Sequence, residues 1–206
     1  MKRYSILALF FLFLLPLPHA NGLATNVNYI ATPPNFGEMS YDDANTAINE
    51  IVDSVVATKI KSVGPNFVIG LVDQLRRGGL DDEKKVLVIY LLGCLRPKDT
   101  NSVEVLIEHI DLKAPRLDPK FDIARWGFYP AQDALVRIGA PAIDPILHHL
   151  PDEGNALRRH LMCGVLKDKH VEGKEAATNQ IKERLAVESN PIKRVNLELS
   201  LTEIEK

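Results

Sequence analysis

Ser62-Val63-Gly64-Pro65-Asn66-Phe67-Val68, followed by Leu71, Val72 and Leu75, parallels Arg137-Ile138-Gly139-Ala140-Pro141-Ala142-Ile143, followed by Ile146, Leu147 and Leu150. Counted from each glycine, apolar residues hold the third, fourth, seventh, eighth and eleventh places. That spacing lays them along one stripe of an α-helix, and a stripe that restarts at a fixed punctuation marks an internal repeat. A helix hairpin of this size hides its apolar edge only by stacking on its neighbours. The two stretches therefore predict a row of helix pairs.

Working outward, Asp42 and Asp43 open a first helix whose stripe is Ile48, Ile51, Val52, Val55, Val56 and Ile60. Acidic residues suit the positive end of a helix. Gly64-Pro65 starts a second helix that Gly78-Gly79 stops, and Asp81-Asp82-Glu83 starts a third, so dense in apolar residues from Val86 to Leu92 that burial on most sides is expected. Val103, Leu106, Ile107 and Ile110 form a short partner helix, Ile110 aligning with Leu75 and Leu150. A third pair covers 131–138 and 141–150, and a fourth 155–166 and 173–185, with Ala177, Ile181 and Leu185 as its inner edge. Asn190-Pro191, a cap followed by a proline in the first turn, opens a last helix with Ile192, Val195, Leu199 and Ile204 as its apolar set.

The segment from Ala134 to Leu150, ALVRIGAPAIDPILHHL, resembles HEAT repeats, in particular the short HEAT-like kind also found in bilin lyases. Weaker copies extend the resemblance over Asp42 to Leu185. It implies an all-α fold, an α-α superhelix (solenoid) of about four degenerate HEAT-like helix pairs, used mainly to hold other proteins. Unit lengths differ, from Gly64 to Gly93 and from Gly139 to Gly164, so the copies are degenerate.

In this template the ninth and tenth places point away from the apolar stripe. They hold Asp73 with Gln74, Glu108 with His109, His148 with His149, and Glu183 with Arg184. If second helices line the concave side, as the resemblance implies, these residues form a polar ridge, the candidate binding surface. The plainer alternative is a solvated helix face, with His109 and His149 placed near helix C-termini because a positive imidazole is stabilised there. An insert, Asp111 to Pro130, carries Phe121, Trp126, Phe128 and Tyr129; Phe121 and Phe128 are read as sealing the stack and Trp126 as a contact.

No catalytic residue is assigned and no enzyme is expected: there is no GxSxG elbow and no glycine-rich phosphate loop. Metal ligands and cofactors are likewise not assigned, since no HExxH, CxxC or CxxCH occurs and adjacent His148 and His149 diverge on a helix. A small-ligand or metal-binding accessory protein using the groove histidines is the alternative reading.

Met1-Lys2-Arg3, an apolar run to Leu17 broken by Pro16 and Pro18, and small residues after His19 read as a secretory signal peptide over 1–22. The run is shorter than a membrane span needs. A secreted or periplasmic protein with no stable span after cleavage follows, with an irregular arm over 23–40 and the helical domain over 41–206. Without Lys2 and Arg3 the basic residues number 23 against 27 acidic ones, which gives no attraction for nucleic acid. The expected partner is a protein of unknown identity. Cys94 and Cys163 sit on first helices of units with one whole unit between them, at a separation of roughly 20 Å, so two buried free thiols are expected.

Overall fold

The computed structural model describes residues 31–56, 63–114 and 128–206. The signal-peptide reading, the start of the arm, and Phe121 and Trp126 lie outside the described residues. Within them the chain is all-helical, without strands. Among the described residues nine α-helices follow one another: α1 (Tyr41–Val56), α2 (Pro65–Arg77), α3 (Asp82–Leu95), α4 (Thr100–Glu108), α5 (Pro130–Ile138), α6 (Ile143–His149), α7 (Ala156–Lys167), α8 (Lys174–Val187) and α9 (Pro191–Glu205). None of them is long and apolar enough to cross a membrane.

Local chemistry sets their ends. Asp81, Asp99, Asn155 and Asn190 are N-caps whose side chains accept from backbone N–H groups of the first turn. Such caps satisfy donors that the helix itself cannot. The Lys84 N–H bond to Asp81 at 2.9 Å is the leading reason that its carboxyl lies below the usual carboxylate range. The two template glycines do different work. Gly139 has φ +79° and ψ −137°, open only to glycine, whereas Gly64, at φ −65°, has ordinary extended geometry.

The helices pack in two alternating rows. In the first row α1 meets α3, α3 meets α5, α5 meets α7 and α7 meets α9; in the second, α2 meets α4, α4 meets α6 and α6 meets α8. Between the rows lies a continuous apolar core, from Phe36, Ile48 and Phe67 at one end to Ile181, Leu197 and Ile204 at the other. α3 is the most enclosed helix, with every residue from Val86 to Ile89 and from Leu91 to Gly93 buried. Each such aliphatic side chain contributes about 1.5–3 kcal/mol, which makes α3 the energetic centre. Its approach to α5 is close: a Cβ on Gly93 would stand 2.9 Å from Ala134 Cα and Cβ.

Three expectations need correction. The arm is irregular only in part, because Phe36–Glu38 form a 3₁₀ turn and Phe36 is fully buried. On α9 three of the four expected apolar residues, Ile192, Val195 and Leu199, are exposed; Ile204 is buried as expected, together with Asn196, Leu197 and Ser200. Both cysteines are free, but only Cys163 is buried, Cys94 being half-exposed. Burial pushes the Cys163 thiol up to about 11.

Candidate functional site

The eight ridge residues fall at the C-terminal ends of the four second-row helices, Asp73 and Gln74 on α2, Glu108 and His109 at the end of α4, His148 and His149 on α6, and Glu183 and Arg184 on α8. They separate into two files with different surroundings. Every tenth-place residue reaches back to the element before it. Gln74 Oε1 accepts the Phe36 N–H at 2.9 Å and its Nε2 donates to the Pro34 carbonyl at 2.7 Å, so α2 holds the arm. His109 bonds the Leu75 carbonyl at the end of α2. His149 Nε2 lies 2.6 Å from Glu104 Oε2 on α4, and Arg184 donates to the Leu147 carbonyl on α6.

Burial governs the chemistry of this file. His109 is half-buried, and one of its ring nitrogens finds no partner among the described residues. Desolvation pushes its pKa below the ordinary imidazole value, with Lys85 acting the same way and Glu108 opposing. The stabilised imidazolium expected at a helix C-terminus is thus overruled at His109 by the cost of burying charge.

The tenth-place ties belong to a wider device. The last carbonyls of a helix lack partners and carry the negative end of its dipole. Here those of second-row helices receive a basic side chain from further along the chain: His109 for α2, Arg158 for α4, Arg184 for α6 and Arg194 for α8. Arg158 donates to the Ile107 and Glu108 carbonyls at 3.0 and 3.2 Å while pairing with Glu153 and Asp111, each at 2.9 Å. Desolvation weighs against its charge, but those two carboxylates outweigh it and raise its pKa. Sequence reasoning missed this role of Arg158 and Arg194; a basic residue in the first turn after an asparagine cap was the available signal.

The ninth-place file faces outward. Asp73 pairs within its own helix with Arg77 at 2.9 Å, and Glu108 meets Arg76 of α2 at 3.3 Å, all four side chains being well exposed. His148 and Glu183 are exposed, and the His148 ring meets His149 edge-on at 6.1 Å. A cleft of about 260 Å3 opens beside His148 and Arg184, lined also by Pro151, Asp152, Val187, Glu188, Lys193 and Leu197. Lys193 Nζ sits 2.8 Å from Asp152 across this lining. Such a surface can exchange ion pairs and hydrogen bonds with an extended polar segment.

Among the described residues no three His, Cys, Asp or Glu side chains come together as metal ligands. Of the insert, Phe128 and Tyr129 are half-buried and stack edge-on at 5.0 Å, with Lys113 over the Phe128 ring at 5.9 Å. The Ala114 N–H bonds the Phe128 carbonyl at 3.1 Å, which pins the two ends of the insert together. Comparison with family models, with curated proteins and with solved structures finds no match for this chain.

Proposed function

We propose that the chain is an α-α superhelix of HEAT-like helix pairs, exported behind a cleaved signal peptide over 1–22, that serves as a non-enzymatic protein-binding scaffold or adaptor. The alternation of two helix rows, α1-α3-α5-α7-α9 and α2-α4-α6-α8, supports the superhelix. Its contact surface is the outward file Asp73, Glu108, His148 and Glu183, continued at one end into the cleft beside Arg184 and Lys193.

One observation carries this reading: at each second-row helix end, one of two adjacent polar residues is tied to an earlier element and the other is exposed, Glu108 in a solvent-facing ion pair with Arg76 of α2. Repeated exposed groups on one edge offer a partner several weak contacts in register, the way repeat proteins hold ligands. Three of the four are acidic, and the exposed pairs of Asp73 with Arg77 and Glu108 with Arg76 are weak enough to exchange for Lys or Arg of a partner segment.

The test is quantitative capture of partners by chemical cross-linking in the compartment to which the chain is exported. A variant carrying Glu108→Lys, His148→Ala and Glu183→Lys is compared with Glu50→Lys, an exposed change on α1. Loss of the partner with the first and retention with the second supports the surface. Equal recovery from both removes it.

A further inference from the structure

The last helix buries a mixed polar and aliphatic face and leaves a second aliphatic stripe outside. Of its inward residues, Asn196 Nδ2 donates to the Pro151 carbonyl at 3.0 Å and Ser200 Oγ to the Asn196 carbonyl at 2.7 Å, alongside the buried Leu197 and Ile204 and the half-buried Leu201. Its outward stripe is Ile192, Val195 and Leu199, exposed by 72%, 51% and 47%. Val187, at the end of the adjoining α8, is 83% exposed. Among the described residues four of the six exposed large apolar side chains thus fall at this one end. Singly scattered apolar residues need no explanation, but a gathering of them marks a contact.

We propose that this stripe joins two copies of the chain, α9 packing antiparallel on α9 across a two-fold axis. Steps of three and then four residues, from Ile192 to Val195 to Leu199, are the seam spacing of a helix pair. A two-fold contact also needs a patch complementary to itself. Reversed on its own copy, this stripe sets Ile192 opposite Leu199 and brings the two Val195 side chains together at the axis. Charge agrees with that direction. Arg194 and Glu198, about half exposed and paired at 3.1 Å, lie on one flank of the stripe. In antiparallel helices the same flank of each copy meets, so Arg194 of one faces Glu198 of the other; parallel packing brings no such exchange. A single helix face lies at the small end of specific interfaces, so the dimer is weak and depends on concentration.

Sedimentation velocity on the full chain from about 10 μM to about 1 mM tests this. Dimer is expected to grow across that range, and Val195→Glu to weaken it at least about tenfold with unchanged thermal melting, because the residue is exposed. Glu198→Lys should weaken it as well. The apolar N-terminal run is present in every variant, so association driven by it does not respond to these changes. Mixing Ile192→Cys with Leu199→Cys chains under mild oxidation should give a cross-link that the unsubstituted chain, with Cys94 and Cys163 alone, does not give. A chain that stays monomeric, or a dimer indifferent to Val195→Glu, overturns the proposal. So does Ile192→Cys cross-linking to itself in preference to Leu199→Cys.

Discussion

Gly93 and His109 show how far single positions depend on neighbours distant in sequence. An alanine at 93 gains about 1 kcal/mol of helix propensity, yet its Cβ must displace the backbone of α5 at Ala134. Overpacking against backbone costs about 1–3 kcal/mol. Gly93→Ala is therefore expected to lower the urea midpoint with an unchanged m-value, whereas an increased midpoint would mean that α3 and α5 separate easily. His109 gives a pH dependence whose sign follows from its depressed pKa. The unfolded chain takes up this proton near pH 6.5 and the folded chain only below that, so the position loses stability as pH falls from 6.5. His109→Gln, which keeps a donor for Leu75, should flatten that part of the stability–pH curve relative to the unsubstituted protein. Identical curves would show that the buried imidazole titrates freely.

Among the elements, the arm and the arginine ties are the informative cases. Pro33 fits against Gly70, where a Cβ would stand 2.7 Å from its ring, and Gln74 one turn on holds Phe36 and Pro34. Gln74→Ala removes both bonds, a loss of about 1–2 kcal/mol, and hydrogen exchange at the Phe36 amide is expected to accelerate by about tenfold or more while α3 amides stay protected. Arg158→Met leaves two carboxylates and the end of α4 without their cation. A drop of about 2–4 kcal/mol is expected in denaturant unfolding, and a drop below 0.5 would mark these contacts as incidental. Helix starts at Asp81 and Asn190 were legible because caps act within one turn, whereas Asp99 and Asn155, which cap α4 and α7 in the same way, were not read as caps. The inward face of α9 was not legible, since periodicity turns Ile192, Val195 and Leu199 inward without reference to the bonds that Asn196 and Ser200 make. The two files of the ridge were equally hidden: His148 and His149 read alike until Glu104 has a position in space.

For the molecule as a whole, packing runs mainly between neighbours within a row and, across the rows, between the last helix of one pair and the first of the next, as in α2 with α3, α4 with α5 and α8 with α9, so stability should grade from the middle outward. Native-state hydrogen exchange is expected to give the slowest amides in α3 and α5, and faster ones in α1 and α9; uniform protection would mean that the chain opens only as a unit. The succession of helices was readable because apolar stripes restart after Gly64 and Gly139, even though only Gly139 needs its special backbone angles.

The downstream caps impose a direction in time. A chain emerging from the ribosome delivers α4 before Arg158, which follows Ile107 by 51 residues, and α6 before Arg184, which follows Leu147 by 37. Each newly made hairpin therefore waits, with its helix end still hydrated, until most of the next one has been synthesised. Maturation should trail elongation by about one hairpin as far as α6, the end of α8 being served by Arg194 only nine residues on, and a nascent chain arrested just short of Arg158 should leave α4 frayed while α2, already served by His109, is secured.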